Sequence, residues 1–440
     1  MSRVEQLTSQ EWWRPAPMRP VAARPTVPAT GDRLRGKVAF RSLMAFLFVL
    51  LLSPQSLFTF LQPLHLAFVT AGIAVFAFLA SRMSAREPLI DTTLAVKLVG
   101  LIVAWSVITV PFSHWPGGSV AFLFEMYFKT LVVFLLLAHV IDSELRLRRT
   151  AWAMTLMSVP LAVTGLSNYV AGDFAGGNGR ILGYDAPLTM NPNDLALTLN
   201  LILPLTIGLF LDAERLLAKA FLVCVIALAV GGVVATFSRS GFLTLAVIGL
   251  FYAWRLMWRG RAALVAVVAV LGIGAAPFLP GHYWDRLSTI TAIEEDTSGS
   301  AQERWHDTKA AATYVAGNPI IGAGIGQGTL AMNEVRGARW LKVHNVYLEY
   351  AVELGIPGLV LFVLLLGSSL RSARLAERIA AHVRASGVFH LSEAVRASLI
   401  GFAVAAMFHP AAYHFWFYMF AGLALAARAI AVRELREAKP

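Results

Sequence analysis

The stretch HNVYLEYAVELGIPGL opens a long apolar run with His344, and Asn345, Glu349 and Glu353 follow it on one helical stripe. A charged side chain inside a membrane span costs roughly 2.5 to 3.5 kcal/mol on insertion scales, so acids in this position need a purpose. Histidine titrates near neutrality and can take a proton from an attacking hydroxyl. Arginine stays charged and grips phosphate oxygens with a two-pronged fork, so it can stabilise a departing pyrophosphate without a metal. Arg180, Arg239 and Arg304 fall at the same expected membrane edge as His344. The competing use is structural: His344 caps the helix and the glutamates pair with arginines of neighbouring spans. The residue types together suit group transfer from a lipid pyrophosphate to a hydroxyl.

The elements that must position these residues are membrane helices. The 440 residues are 57% hydrophobic and 14% charged, with mean hydropathy +0.65, a balance that no soluble domain of this size carries on its surface. Cys224 stands alone in an apolar run, which excludes a disulfide or thiolate metal site, and no cofactor is expected. The net charge of +11 comes from basic residues in short loops, a sign of membrane orientation rather than of nucleic-acid binding.

Apolar windows of about 20 residues predict an all-α integral membrane protein of about 12 spans. They lie near 39–60, 63–81, 92–111, 119–141, 148–170, 191–211, 216–236, 240–257, 262–280, 345–370, 395–411 and 413–430. Residues 1–38 read as a disordered basic tail, 281–344 as a long loop with helices, and 431–440 as a second tail. The first span is expected to be an uncleaved anchor. Basic residues gather in alternate loops, at Arg82 and Arg86, Arg146 to Arg149, Arg215 and Lys219, Arg255 to Arg261, Arg371 to Arg384 and the final tail. The positive-inside rule makes those loops and both termini cytoplasmic. The basic residues on the opposite side are Arg180, Arg239, Arg286, Arg304, Lys309, Arg336, Arg339 and Lys342. An anionic ligand would explain them.

Within the long loop, SAQERWHDTKAAATYVAGNP reads as a helix capped at Ser300, with Glu303 at the capping-box spacing and Trp305, Ala312 and Val315 as its apolar face. It should stop at Gly317 and Pro319. GNPIIGAGIGQG follows, and its glycines suit turns and close packing better than phosphate binding, since no GK[ST] accompanies them. Asp307 beside His306, and the run Glu294, Glu295, Asp296, read as solvated surface.

These motifs resemble the O-antigen ligase and polymerase-like membrane proteins of bacterial envelope polysaccharide assembly. The similarity rests on HNVYLEYAVELGIPGL at the start of a span, ERW ahead of GNPIIGAGIGQG, TFSRSGFLTL at an outer turn and NPNDLAL opening a span at Asn191. The resemblance implies a twelve-span, metal-independent glycosyltransferase of the C type in the bacterial inner membrane. Its donor would be a glycan on undecaprenyl pyrophosphate, and its acceptor the lipid A-core oligosaccharide on the periplasmic side. By motif position His344 would be the base, and Arg239 and Arg304 the pyrophosphate-binding arginines. Arg180 joins them on topology alone, and Asn345, Glu349 and Glu353 are supporting polar groups.

The basic tail has no part in the family pattern. Polymerases of the superfamily usually carry two sizeable outer loops, and a single long one here favours a ligase. A polymerase or a transferase to protein Ser or Thr shares the chemistry and changes the acceptor. A secondary transporter using Glu349 and Glu353 is the alternative of another class; the absence of a repeat between the halves and the clustering of polar groups at one edge speak against it.

Overall fold

The computed structural model describes residues 36–175, 180–275, 284, 300–337, 340 and 342–438. Residues 1–35 of the expected tail, Arg286, Arg339 and the acidic run 294–296 lie outside the described residues, and the first helix begins at Lys37, inside the expected tail boundary of 38. The chain is an all-α integral membrane protein, and among the described residues ten helices are long and apolar enough to cross a membrane. In chain order the helices are α1 (Lys37–Leu52), α2 (Leu66–Ala85), α3 (Leu94–Thr109), α4 (Pro116–Val140), α5 (Glu144–Ala171), α6 (Pro192–Asp212) and α7 (Leu216–Ala235). Then follow α8 (Arg239–Trp258), α9 (Ala262–Ala275), α10 (Ser300–Gly317), α11 (Gly328–Arg336), α12 (Val346–Val383), α13 (Ser386–Ala405) and α14 (Phe415–Glu437).

Every expected span contains a helix, but α1 and α9, at 16 and 14 described residues, are too short to count among the ten, whereas α3 qualifies because a further helical turn continues it to Phe112. The first expected span breaks at Ser53, which is left-handed (φ 43°) and precedes Pro54, whose ring keeps the residue before it out of the right-handed helix. The α12 helix runs 13 residues past the expected boundary at 370, to Val383, and α13 begins at Ser386, nine before the expected 395. Between α5 and α6 a minimal antiparallel ladder pairs Phe174 with Ile181 and Ala175 with Arg180.

Burial separates the helices. The α6, α13 and α14 helices are buried over most of their length, whereas α2 is exposed nearly all round, as a lipid-facing helix should be. The ends of α6, α8 and α12 nearest His344 are N-terminal, and we call this the His344 face; Asp212, Trp258, Val383 and Ser386 mark the far face.

The α12 helix is broken at Gly355 (φ 68°, ψ −174°), two residues before Pro357. Proline lacks an N–H and clashes with the preceding turn, so backbone groups are released here inside an apolar bundle. The glycine-rich connection between α10 and α11 takes them up. Ala323 N donates to Val352 O and Gly324 N to Glu353 O, both at 2.8 Å, and Ile356 N donates to Pro319 O at 2.8 Å. Trp105 Nε1 of α3 donates to Leu354 O at 2.8 Å. A Cβ on Gly355 would collide with the Ile320 carbonyl, so glycine is required both for its backbone angle and for the close approach.

Candidate functional site

The short segment before α12 carries His344, and Asn345 is the actual cap: its side chain accepts from Leu348 N at 3.1 Å. His344 is thereby released from the capping role. The start of α12 is fixed against the connection between α13 and α14, with Val346 N donating to Ala406 O at 2.7 Å and Tyr347 OH to Ala403 O at 2.8 Å.

Glu349 and Glu353, one turn apart on α12 and both buried, do not pair with arginines of neighbouring spans in the contacts seen. Glu349 Oε2 accepts from Ala412 N at 3.0 Å, and its other oxygen lies 3.8 Å from Lys342 Nζ. Glu353 accepts from Gly326 N at 2.7 Å and Gly328 N at 3.1 Å. The glycine-rich loop thus cradles an anion with its amides, but the anion is the chain's own carboxylate. The two acids answer the cost of their burial by pinning the connections that flank His344.

The α10 helix lies against this assembly through a stripe different from the expected one. Trp305 is 54% exposed and Ala312 is exposed, while Val315 is partly buried. Asp307, Ala310, Ala311 and Tyr314 form the buried stripe, facing Val343, Met332 and Val352. Asp307 is therefore not solvated surface: it is buried and ion-paired with Arg336 of α11. Apolar residue counting misplaced the face because an ion pair occupies one of its positions.

Arg304 precedes Asp307 by one turn and lies near enough to His344 and His409 for its charge to act on both. Burial first, then Arg304, hold the His344 imidazole below its ordinary range, while Asp307 pulls the other way. His409, in the connection between α13 and α14, was missed in the sequence. Burial drives it down to about 4, and its Nε2 donates to Asn193 O at 3.1 Å, with Asp194 Oδ1 at 3.8 Å. A histidine in an alanine- and phenylalanine-rich turn has no motif of its own to announce it.

Asn193 links the remaining residues. Its Oδ1 accepts from Arg180 Nη2 and from Ser238 Oγ, each at 2.7 Å, and Arg180 Nε also donates to Thr236 O at 3.4 Å. Ser238 caps α8 by accepting from Gly241 N, and Arg239 is the first residue of that helix. The structure therefore connects Arg180, Asn193 and the cap beside Arg239 by hydrogen bonds, and brings His409, Arg304 and His344 within electrostatic reach of one another. The N-termini of α6, α8 and α12 open on this face, and each carries the positive end of a helix dipole. Arginines, imidazoles and helix N-termini together suit a polyanion. Among the described residues no group of three or more His, Cys, Asp or Glu could hold a metal ion.

A cleft of about 670 Å³ opens elsewhere, on the far face, lined by residues that include Glu144, Arg148, Asp212, Arg384 and Glu434. Its charges are mixed, and Arg148 pairs with Asp212.

Residues 224–363 match the family model described as O-antigen ligase, and residues 36–186 match that of a family of unknown function (DUF5935). No curated protein matches the chain. The first match takes in Arg239, Arg304, Asp307, the glycine-rich loop, His344 and the break in α12, and leaves out Arg180 and His409. Residues 224–363 of this multi-pass membrane protein are thus similar to an O-antigen ligase-like family, whose glycosyltransferase-like ligases and polymerases act in polysaccharide assembly.

Proposed function

We propose that the protein is an O-antigen ligase that transfers a glycan from undecaprenyl pyrophosphate to the lipid A-core oligosaccharide. The observation that carries this reading is His344 held in its neutral, proton-accepting form beside Arg304, at a face where helix N-termini and further arginines favour a polyanion. An acceptor hydroxyl attacks the anomeric carbon, and its proton passes to His344. The bond from that carbon to the pyrophosphate oxygen breaks, and the lipid pyrophosphate leaves with the electron pair. Arg304, Arg239 and Arg180 hold its negative charge, which makes the leaving group competent without a metal. The far face, with Arg255, Arg259, Arg261, Arg371, Arg374, Arg378 and Arg384, is cytoplasmic by the positive-inside rule, which puts both termini in the cytoplasm and His344 at the periplasmic side of the inner membrane.

The test is the lipopolysaccharide of a deletion strain with its pool of lipid-linked glycan. Bare lipid A-core with accumulated undecaprenyl-linked polymer is expected. Core bearing a single repeat unit would identify a polymerase instead, and an unchanged pattern would exclude both. Complementation with His344→Ala should fail although the protein reaches the membrane, with transfer down about 10²- to 10⁴-fold; normal complementation would remove the base.

A further inference from the structure

Asp307 lies one turn beyond Arg304 on the buried stripe of α10 and is only 3% exposed. A carboxylate this far from water needs a partner, and Arg336, whose side chain is itself withdrawn from solvent, supplies it. The apolar residues of the same stripe share one buried cluster with Val343, the residue before His344, and the Asp307 charge acts on the His344 ring. The ion pair thus sits against the segment that presents the imidazole.

Joining α10 to α11 does not require this pair. Ala310, Ala311 and Tyr314 already form an apolar seam with Ala331 and Met332, and apolar side chains of similar volume are often at least as stable as a buried ion pair. What the pair adds is a field on its neighbours. Among the described residues, the charges that act most on His344 are Arg304 and Asp307 from α10 and Arg336 from α11, with His409 from the connection after α13 close by and carrying Asp194 at 3.8 Å; Lys342 contributes a backbone contact and turns its ammonium toward Glu349. Asp307 is the acid whose charge acts directly on the His344 ring. When His344 accepts the hydroxyl proton it becomes a cation beside Arg304 and Arg336, and that repulsion opposes the transfer.

We propose that Asp307 is the positioning residue of the proton transfer: locked in place by Arg336, its carboxylate offsets the imidazolium that forms on His344 as the acceptor O–H bond breaks. The arginines that grip the leaving pyrophosphate can then sit near the base without preventing it from taking the proton. This rests on His344 being the base.

The experiment reads the His344 proton directly. The purified full-length protein is treated with diethyl pyrocarbonate across a pH series, and carbethoxylation of the His344 peptide, which requires the neutral ring, is followed by mass spectrometry without any glycan substrate. In Asp307→Asn the midpoint should fall by about one unit, because an opposite charge has been removed. In the transfer assay kcat should fall about tenfold or more with the acceptor KM little changed. Asp307→Glu should recover most of both. Arg336→Gln, which takes a cation away and leaves Asp307 in place, should move the midpoint up. A midpoint that stays put in Asp307→Asn and Arg336→Gln, with only the melting temperature lowered, would reduce Asp307 to a clamp and overturn the proposal. Full transfer by His344→Ala would instead remove the base, and the proposal with it, whatever the titration shows.

Discussion

At the far face Glu377 and Glu393 hold Arg255, Arg259 and Arg396 in a closed set of buried ion pairs, whereas at the His344 face Glu349 and Glu353 hold mainly backbone amides. Glu393 Oε1 meets Arg255 Nε at 2.5 Å and Arg259 Nη2 at 2.7 Å, while Glu377 bonds Arg255 and meets Arg396 Nη1 at 2.7 Å. These pairs tie α8 to α12 and α13. The same residue types thus do different jobs at the two faces. Where arginine is matched by carboxylate, the charges neutralise one another and fasten helices. Around His344, two carboxylates are occupied by loop amides instead, on a face that also offers helix N-termini.

The sharpest way to break this contrast is to remove one carboxylate from each face. Glu393→Ala leaves Arg255 and Arg259 short of a buried partner and should cost about 3–5 kcal/mol, seen as a large fall in detergent melting temperature. A fall of less than about 1 kcal/mol would mean that water or lipid relieves the charge and that the far network is not a fastener. Glu353→Gln should cost less, about 1–3 kcal/mol, because the side-chain carbonyl still accepts one of the two amides. Its mark is a loss of transfer out of proportion to the loss of stability, since the glycine-rich loop and α11 sit beside His344; equal losses of both would make Glu353 a general support.

The smallest effect concerns pH. The acid limb of the transfer rate reports protonation of His344, and a lowered pKa means the ring stays neutral further into the acid range than a free histidine. The rate should therefore hold steady as pH falls through 6.5 and decline only below it, where the base is lost. A decline centred at or above 6.5 would show that the site does not depress His344. His409 adds a stability effect of the same sign. Its folded-state pKa of about 4 lies below the unfolded value, so unfolding takes up a proton between about 6.5 and 4, and stability is lost as pH falls through that window.

Much of the fold was legible because apolar runs of membrane length have few other uses, and the helices appear at every expected span. For the candidate site, residue type alone singled out His344 and Arg304, and the structure brings these two within electrostatic reach of one another. It was not legible where the partner is backbone from a distant segment. Nothing in the spacing of Glu349 and Glu353 reveals that one binds Ala412 N and the other Gly326 N and Gly328 N, because an amide leaves no trace in composition. Asp307 failed for a related reason. Polarity suggests exposure until its partner is seen, and Arg336 lies 29 residues away. The break in α12 was spelled out by Gly355 and Pro357, yet the apolar run on either side reads as one uninterrupted span.

That break makes α12 two mechanical parts rather than one. Its first part, Val346 to Leu354, is about 14 Å of helix that follows directly on His344, and the rest is a longer rod that ends at Val383. Changes in bilayer thickness tilt rods, and a tilt of the longer part reaches the first only through a joint whose hydrogen bonds belong to another segment. The segment that presents the imidazole is in effect mounted on a suspension.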